Sequence, residues 1–290
     1  MNDHFRNRPF DFLKDGNNMN NGSSSSFDPT ASLEEAARMT RKDCFQFFCG
    51  PSVQCFTECC RKLELALTPY DVLRLSRRLG VSSSEFLDDF TEIKSGSRHG
   101  FPEVFLKMQN TEEKLCHFVS EQGCVVYEDR PGACRTYPLG RASSKNRLTN
   151  INEEFFFVVR ESHCRGFEQN KTWSVDEWLS DQDLEEYNRF NDLLMELYML
   201  GFRARSGELS TQRLQMFMMA CYNLDKFRGF IFRSSFLTKF EFSPERASSL
   251  ETDDSCLLEF AFEWLKLALF RIPTLKLRNN PEQEVCDSSS

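Results

Sequence analysis

Cysteine is the residue type whose number and placement in this chain ask for a chemical explanation. Nine of the 12 cysteines lie between Cys44 and Cys164. The densest run reads Cys49-Gly-Pro-Ser-Val-Gln-Cys55-Phe-Thr-Glu-Cys59-Cys60-Arg61, and Cys116, Cys124, Cys134 and Cys164 follow it. A thiolate metal site needs sulfurs gathered about 2.3 Å from the ion. Short spacings let one tight loop supply two or three of them, while the rest arrive from distant segments as the fold closes. Gly50 and Pro51 turn the chain directly after Cys49, and three residues separate Cys55 from Cys59. Adjacent cysteines point in different directions, so one of Cys59 and Cys60 is left for a second ion or for the core. The eight cysteines from Cys49 to Cys164 can form one four-thiolate site with spares, or two sites.

Free cysteine is also among the most buried residue types, so a single position needs no metal. Nine in this short stretch, with an adjacent pair, is harder to explain by packing alone. A dithiol redox role would call for CxxC spacing, which is absent. His117 and His163 each sit beside a cysteine and are secondary candidates for mixed ligation. Cys221, Cys256 and Cys286 stand apart from one another and read as buried or surface thiols.

Composition narrows the setting. A net charge of −8 and a pI near 5.3 argue against wholesale nucleic-acid binding, which runs on phosphate neutralisation, and against docking on an anionic membrane. No segment approaches the roughly 18 uninterrupted apolar residues of a spanning helix. Met1 to Asn21 holds no apolar core of a signal peptide. The expectation is therefore a cytoplasmic protein, where stable disulfides are rare and clustered thiols serve metals or catalysis. The 29 phenylalanines are spread along the whole chain and read as core filler.

The elements that would position the cysteines are partly legible. Thr68-Pro69-Tyr70-Asp71 opens a helix: Thr68 caps, Pro69 takes the first helical position and Asp71 answers the cap. Val72, Leu75 and Leu79 share a face, and Gly80 ends the helix. Ser82 and Glu85 form a second capping box leading into Phe86, Leu87 and Phe90. This pair looks like a helix-turn-helix, but its second member, SSEFLDDFTE, is acidic where a DNA-reading helix needs groups for phosphates. It reads as scaffold for the cysteine loop. Another helix is expected over about Ser32 to Met39. Val125 to Tyr127 looks like a strand, and Asp129-Arg130-Pro131-Gly132 a turn returning Cys134 toward Cys124. Arg130 and Arg135 flank that turn, to neutralise thiolates or bind an anion, or to hold the turn by a salt bridge, the reading favoured at this point.

Further on, Asp183 to Leu200 places Leu184, Tyr187, Asn191, Leu194 and Tyr198 near one face, with Gly201 as a stop. Ser210 caps a helix carrying Leu214, Met218, Cys221 and Tyr222, and Phe260 to Leu269 forms another. No Gly-rich phosphate loop, GxSxG or HExxH is found.

CFTECCRKLELALTPYDVLRLSRRLGVSSSEFL, followed by CHFVSEQGCVVYEDRPGACRTYPLG, resembles the YkgJ-type CxxCxxCC family, described as zinc- or iron-chelating. The likeness runs from about Phe48 to Phe167, with wider early spacings than the family name implies. It implies chelation by Cys49, Cys55, Cys59, Cys60, Cys116, Cys124 and Cys134, with Cys164 the late member. Cys44 matches no position. Flagellin lysine methylases look like a relative with a similar cysteine cluster, which leaves an enzyme open although no catalytic motif is identified.

The reading is thus a helix-rich α+β protein: a tail over 1–31, a cysteine-cluster domain over 32–170, a helical region over 171–277 and a second tail over 278–290. The cofactor is zinc or an iron–sulfur cluster, which ligand type does not separate. A protein partner has room; nucleic acid and membrane are not expected.

Overall fold

A computed structural model describes residues 38–95, 99–145, 152–203 and 209–278. The chain divides into two units, 1–36 and 37–290, and all the described residues lie in the second. The helix expected over about Ser32 to Met39 falls almost wholly outside them. At its end, Met39 is not helical but bridges Phe156 in an antiparallel pair.

The chain opens with β1 (Cys44–Gln46) and turns through 50–60 into a 3-10 helix at Glu58–Cys60. Then come β2 (Ala66–Leu67), α1 (Pro69–Leu79), α2 (Ser83–Phe90), β3 (Thr91–Lys94) and β4 (Glu103–Leu106). Both capping boxes form as the sequence predicts, and Gly80 closes α1 at φ 67°, a conformation that costs a residue without Cβ little. Strands β2, β4 and β3 pair antiparallel in that order.

Next follow β5 (Val119–Ser120), β6 (Gly123–Cys124), a 3-10 turn at Tyr127–Asp129, α3 (Gly132–Thr136), β7 (Leu139–Lys145) and β8 (Asn152–Val158). The strand expected at Val125 to Tyr127 is displaced. The paired residues are Gly123 and Cys124, two-residue partners of β5, and the chain then tightens toward Arg130. Val125 and Tyr127 are both more than half exposed, so neither apolar side chain holds this stretch against a sheet. The run Phe155-Phe156-Phe157 lies in strand β8, paired with β7. A 3-10 turn at Gly166–Glu168 leads to β9 (Thr172–Ser174), which returns to pair with β1.

The remainder is helical: α4 (Val175–Asp181), α5 (Glu185–Arg203), α6 (Thr211–Tyr222), α7 (Leu224–Arg233), α8 (Phe236–Lys239), α9 (Pro244–Thr252) and α10 (Asp254–Phe270). Ser210 caps α6 by accepting from the Arg213 N–H. Helix α10 begins earlier than its apolar pattern suggests, because Asp253 caps it through the Ser255 and Cys256 N–H groups. Gly201 does not stop α5, which runs on to Arg203. A Cβ there would stand 2.6 Å from the His99 carbonyl oxygen and 2.7 Å from the Phe101 ring. Glycine permits that approach rather than ending the helix.

The core is continuous. Phe86 of α2, Phe156 of β8, Phe190 of α5, Phe217 of α6 and Phe262 of α10 are all essentially inaccessible and belong to one cluster. The phenylalanines fill it, with edge and stacked contacts such as Phe101 on Phe217 at 4.4 Å. Among the described residues no helix is long and apolar enough to cross a membrane.

Candidate metal centre

The Cys49 end of the cysteine loop is set by β1 and its partners. The Phe47 N–H donates to the Lys171 carbonyl and the Phe48 N–H to the Gly166 carbonyl. Phe47 is buried among Trp178, Tyr137 and Phe167. These contacts carry Cys49 toward the segment of Cys164. The loop then winds through successive turns, Val53 N–H to Gly50, Phe56 to Val53, Glu58 to Cys55 and Cys60 to Thr57, with Val53 buried beneath it. The Cys55 sulfur accepts the Arg165 N–H at 3.1 Å, one residue past Cys164.

The Cys60 end is tied to a different segment. Its carbonyl accepts the Cys116 N–H at 2.8 Å, and the Lys62 N–H donates to Lys114. Thr57 at φ 70°, Lys62 at φ 50° and Lys114 at φ 46° are all left-handed. For a β-branched residue such as Thr57 that conformation is strained, and such strain clusters at functional sites. Beyond Cys116 the short β5–β6 hairpin pairs Val119 with Cys124, and the ring of Phe56 packs on Gly123 at its turn. Cys134 rides on α3, whose start is held by Asp71 of α1: one carboxylate oxygen accepts the Gly132 N–H at 2.7 Å.

Five stretches of chain thus bring the eight predicted cysteines into one neighbourhood. Cys49 lies within electrostatic reach of Cys55, Cys59 and Cys164. Cys60 feels Cys59, Cys116 and Cys134, and Cys134 feels Cys116, Cys59 and Cys124. Cys59 also acts on Cys116 and Cys124. By these interactions Cys49, Cys55 and Cys164 form one set and Cys60, Cys116, Cys124 and Cys134 another, and Cys59 acts on Cys49 of the first and on Cys116, Cys124 and Cys134 of the second. They are not drawn to ligation distance: among the described residues, no three His, Cys, Asp or Glu side chains are grouped as metal ligands would be.

Burial and mutual repulsion set the thiol acidities. Burial, then Cys59, Cys55 and Cys164, raise Cys49 to about 11, with Arg130 opposing. Burial raises Cys116 and Cys124, and a backbone N–H to each sulfur offsets part of it, from Phe118 and Val126 respectively. Cys134 keeps a water-accessible side, yet the protein packed behind its sulfur pushes the thiol up, with Cys116 and Asp71 adding to it. The hydrogen bond from Cys60 lowers Cys59 to about 7, and the same bond, with burial, raises Cys60. Neighbouring thiols thus oppose one another's ionisation. The donor set fits a thiolate-bound metal. The sulfurs of Cys55 and Cys116 accept backbone N–H groups at 3.1 Å and 3.4 Å, the kind of bond that stabilises a thiolate.

The histidines stand aside. His117 is exposed with its ring edge-on to Phe90, and His163 is exposed. Cys44 is exposed on β1, Cys221 is buried in the helical core and Cys256 is exposed on α10. Cys286 lies outside the described residues. No disulfide joins the described cysteines.

Among the described residues, neither Arg130 nor Arg135 forms a salt bridge at the turn. Arg130 donates to the Tyr127 carbonyl and the Gln182 side-chain oxygen, and Arg135 to the carbonyls of Gln182 and Glu128. The ion pair at the turn is Arg74 with Asp129, at 2.6 Å. Sequence reasoning missed that pair and the Asp71–Gly132 link, since both cross more than fifty residues with no local signal. It also missed Tyr137, whose phenol is pushed up by burial and by the adjoining Cys164.

Residues 49–172 match a family model, CxxCxxCC, with the description "Putative zinc- or iron-chelating domain". The matched stretch, somewhat under half of the chain, spans every one of the eight cysteines. Neither a curated protein nor a solved structure matches the chain.

Proposed function

We propose that Cys49, Cys55, Cys59, Cys60, Cys116, Cys124, Cys134 and Cys164 hold zinc or an iron–sulfur cluster as thiolates. The observation that carries this reading is the convergence of cysteine-bearing segments from distant parts of the chain: the Cys116 N–H on the Cys60 carbonyl at 2.8 Å, the Arg165 N–H on the Cys55 sulfur at 3.1 Å, and Cys124 on the hairpin that follows Cys116. Cys60, Cys116, Cys124 and Cys134 would make a set of four and Cys49, Cys55 and Cys164 a second group, with Cys59 in reach of both. Four thiolates suit structural zinc and equally suit a four-iron cluster. When bound, the metal supplies the positive charge that lets these thiols ionise together, and saturated by protein sulfur it cross-links segments distant in the chain.

The role that follows is a metal-stapled module, structural or interaction-bearing, in a reducing compartment. A second reading is an iron–sulfur protein in redox chemistry or protein modification. The sulfur-only surroundings favour it, with eight thiols and both neighbouring histidines turned outward. Chelation tests the shared premise. Removing metal from the purified full chain should lower its melting temperature and expose titratable thiols in step, and restoring metal should reverse both. A chain whose melting and thiol titration ignore a strong chelator is not held by a thiolate-bound metal.

A further inference from the structure

Arg130 and Arg135 are among the few charged side chains in the described core, 7% and 3% exposed. Their hydrogen bonds go to neutral oxygens, three carbonyls and the Gln182 amide. Arg130 also lies flat over the Tyr127 ring, 3.7 Å from its centre. Neither arginine forms an ion pair with a carboxylate among the described residues. Asp129, beside Arg130 in sequence, is taken by Arg74. Asp71 faces Arg135, but its oxygens serve Thr68 and Gly132. A buried guanidinium without an anionic partner is costly, and an arginine does not escape by losing its proton.

The groups facing Arg130 explain where compensation comes from. They are Tyr127, Arg135, Cys124 and Cys134, together with Cys49, on which Arg130 also acts. Arg130 sits on the turn between Cys124 and Cys134 in the chain and also acts on Cys49, so its charge reaches members of both sulfur sets. Neutral thiols would leave its charge unbalanced. A divalent ion in four thiolates keeps two negative charges of its own, and a cation beside it lowers the energy of the loaded state above that of the protonated, metal-free one.

We propose that Arg130, backed by Arg135, is the fixed counter-charge of the thiolate centre and sets how tightly that centre holds metal. This rests on the reading that the cysteines bind a metal. Its own content is that the charge of Arg130 does this, beyond tying the 127–130 turn to Gln182.

The test is cobalt(II) titration of the metal-free full chain without oxygen, read by sulfur-to-cobalt charge-transfer absorption and by competition with a chelator. The parent chain should bind. R130Q, which keeps hydrogen bonding but loses the charge, should bind at least about tenfold more weakly, within the range for groups supporting metal ligands. R130K, which keeps the charge but loses the planar fork, should stay within about threefold of the parent. R130Q binding like the parent overturns the proposal, as does R130K falling as far as R130Q, which would make the role purely structural. Should R130Q fail to fold, the R130K/R135K double variant decides: affinity kept within about threefold supports the charge, and a tenfold loss overturns it. A parent chain without thiolate–cobalt absorption brings down the metal reading itself, and this proposal with it.

Discussion

The Asp71 carboxylate accepts the Gly132 N–H at 2.7 Å while its second oxygen takes the Thr68 N–H at 2.8 Å and the Thr68 hydroxyl at 2.9 Å. One buried side chain thus caps α1 and fixes the start of the short helix that carries Cys134. Replacing it with alanine removes a cap worth about 0.5–2 kcal/mol and strands a buried N–H at about 1–3 kcal/mol. We expect D71A to lose about 2–4 kcal/mol in urea unfolding. A loss under about 0.5 kcal/mol would contradict the dual role.

Asp254 gives the chain a defined acid response. Burial pushes its carboxyl up, but hydrogen bonds from Arg228 and Arg77 outweigh burial and hold it below the ordinary value of 3.8. A carboxyl depressed in the folded state contributes stability above its unfolded pKa and loses it as pH falls through the folded one. D254N should be less stable than the parent at pH 7, and the gap should close below about pH 4. Urea midpoints measured against pH check this, and a gap that stays constant would contradict it.

Gly201 offers a test whose sign is opposite to helix propensity. Alanine in mid-helix ordinarily gains about 1 kcal/mol over glycine. Here the added Cβ meets the His99 carbonyl oxygen at 2.6 Å and the Phe101 ring at 2.7 Å, and overpacking costs about 1–3 kcal/mol. G201A should melt lower than the parent; a higher melting temperature would refute the close-approach account.

Much of the scaffold was legible because its signals are local. Thr68 with Asp71, Ser82 with Glu85, and Ser210 each announce a helix start within four residues, and all three cap as read. The apolar face of α5 was partly legible by periodicity: Leu184, Tyr187 and Leu194 are buried as read, Asn191 and Tyr198 only half so, and Phe190 and Leu197, outside that stripe, are buried too. Gly201 misled because glycine serves two purposes, and only tertiary contact tells a stop from a close approach. Val125 and Tyr127 misled because two β-formers at alternate positions look like a strand whether or not a partner strand exists. The cysteines stood out by number and spacing, but their division around Cys59 depends on chain crossings such as Cys60 with Cys116 and Cys55 with Arg165.

Cys59 should matter more than a cysteine outside the cluster. It reaches both sulfur sets, whereas Cys256 is exposed on α10. C59S should lower bound metal and melting temperature together, and C256S should leave both unchanged. Metal content that survives C59S and C60S, each made singly, would mean that the centre does not involve this pair.

The central claim is tested most directly by metal and acid-labile sulfide content of the full chain purified without oxygen. The account predicts bound metal: zinc at one or two ions per chain without sulfide, or iron with matching sulfide. Iron with sulfide would favour the redox reading, and zinc alone the stapled module. Protein that carries neither metal, and takes up neither on reconstitution, would contradict the account.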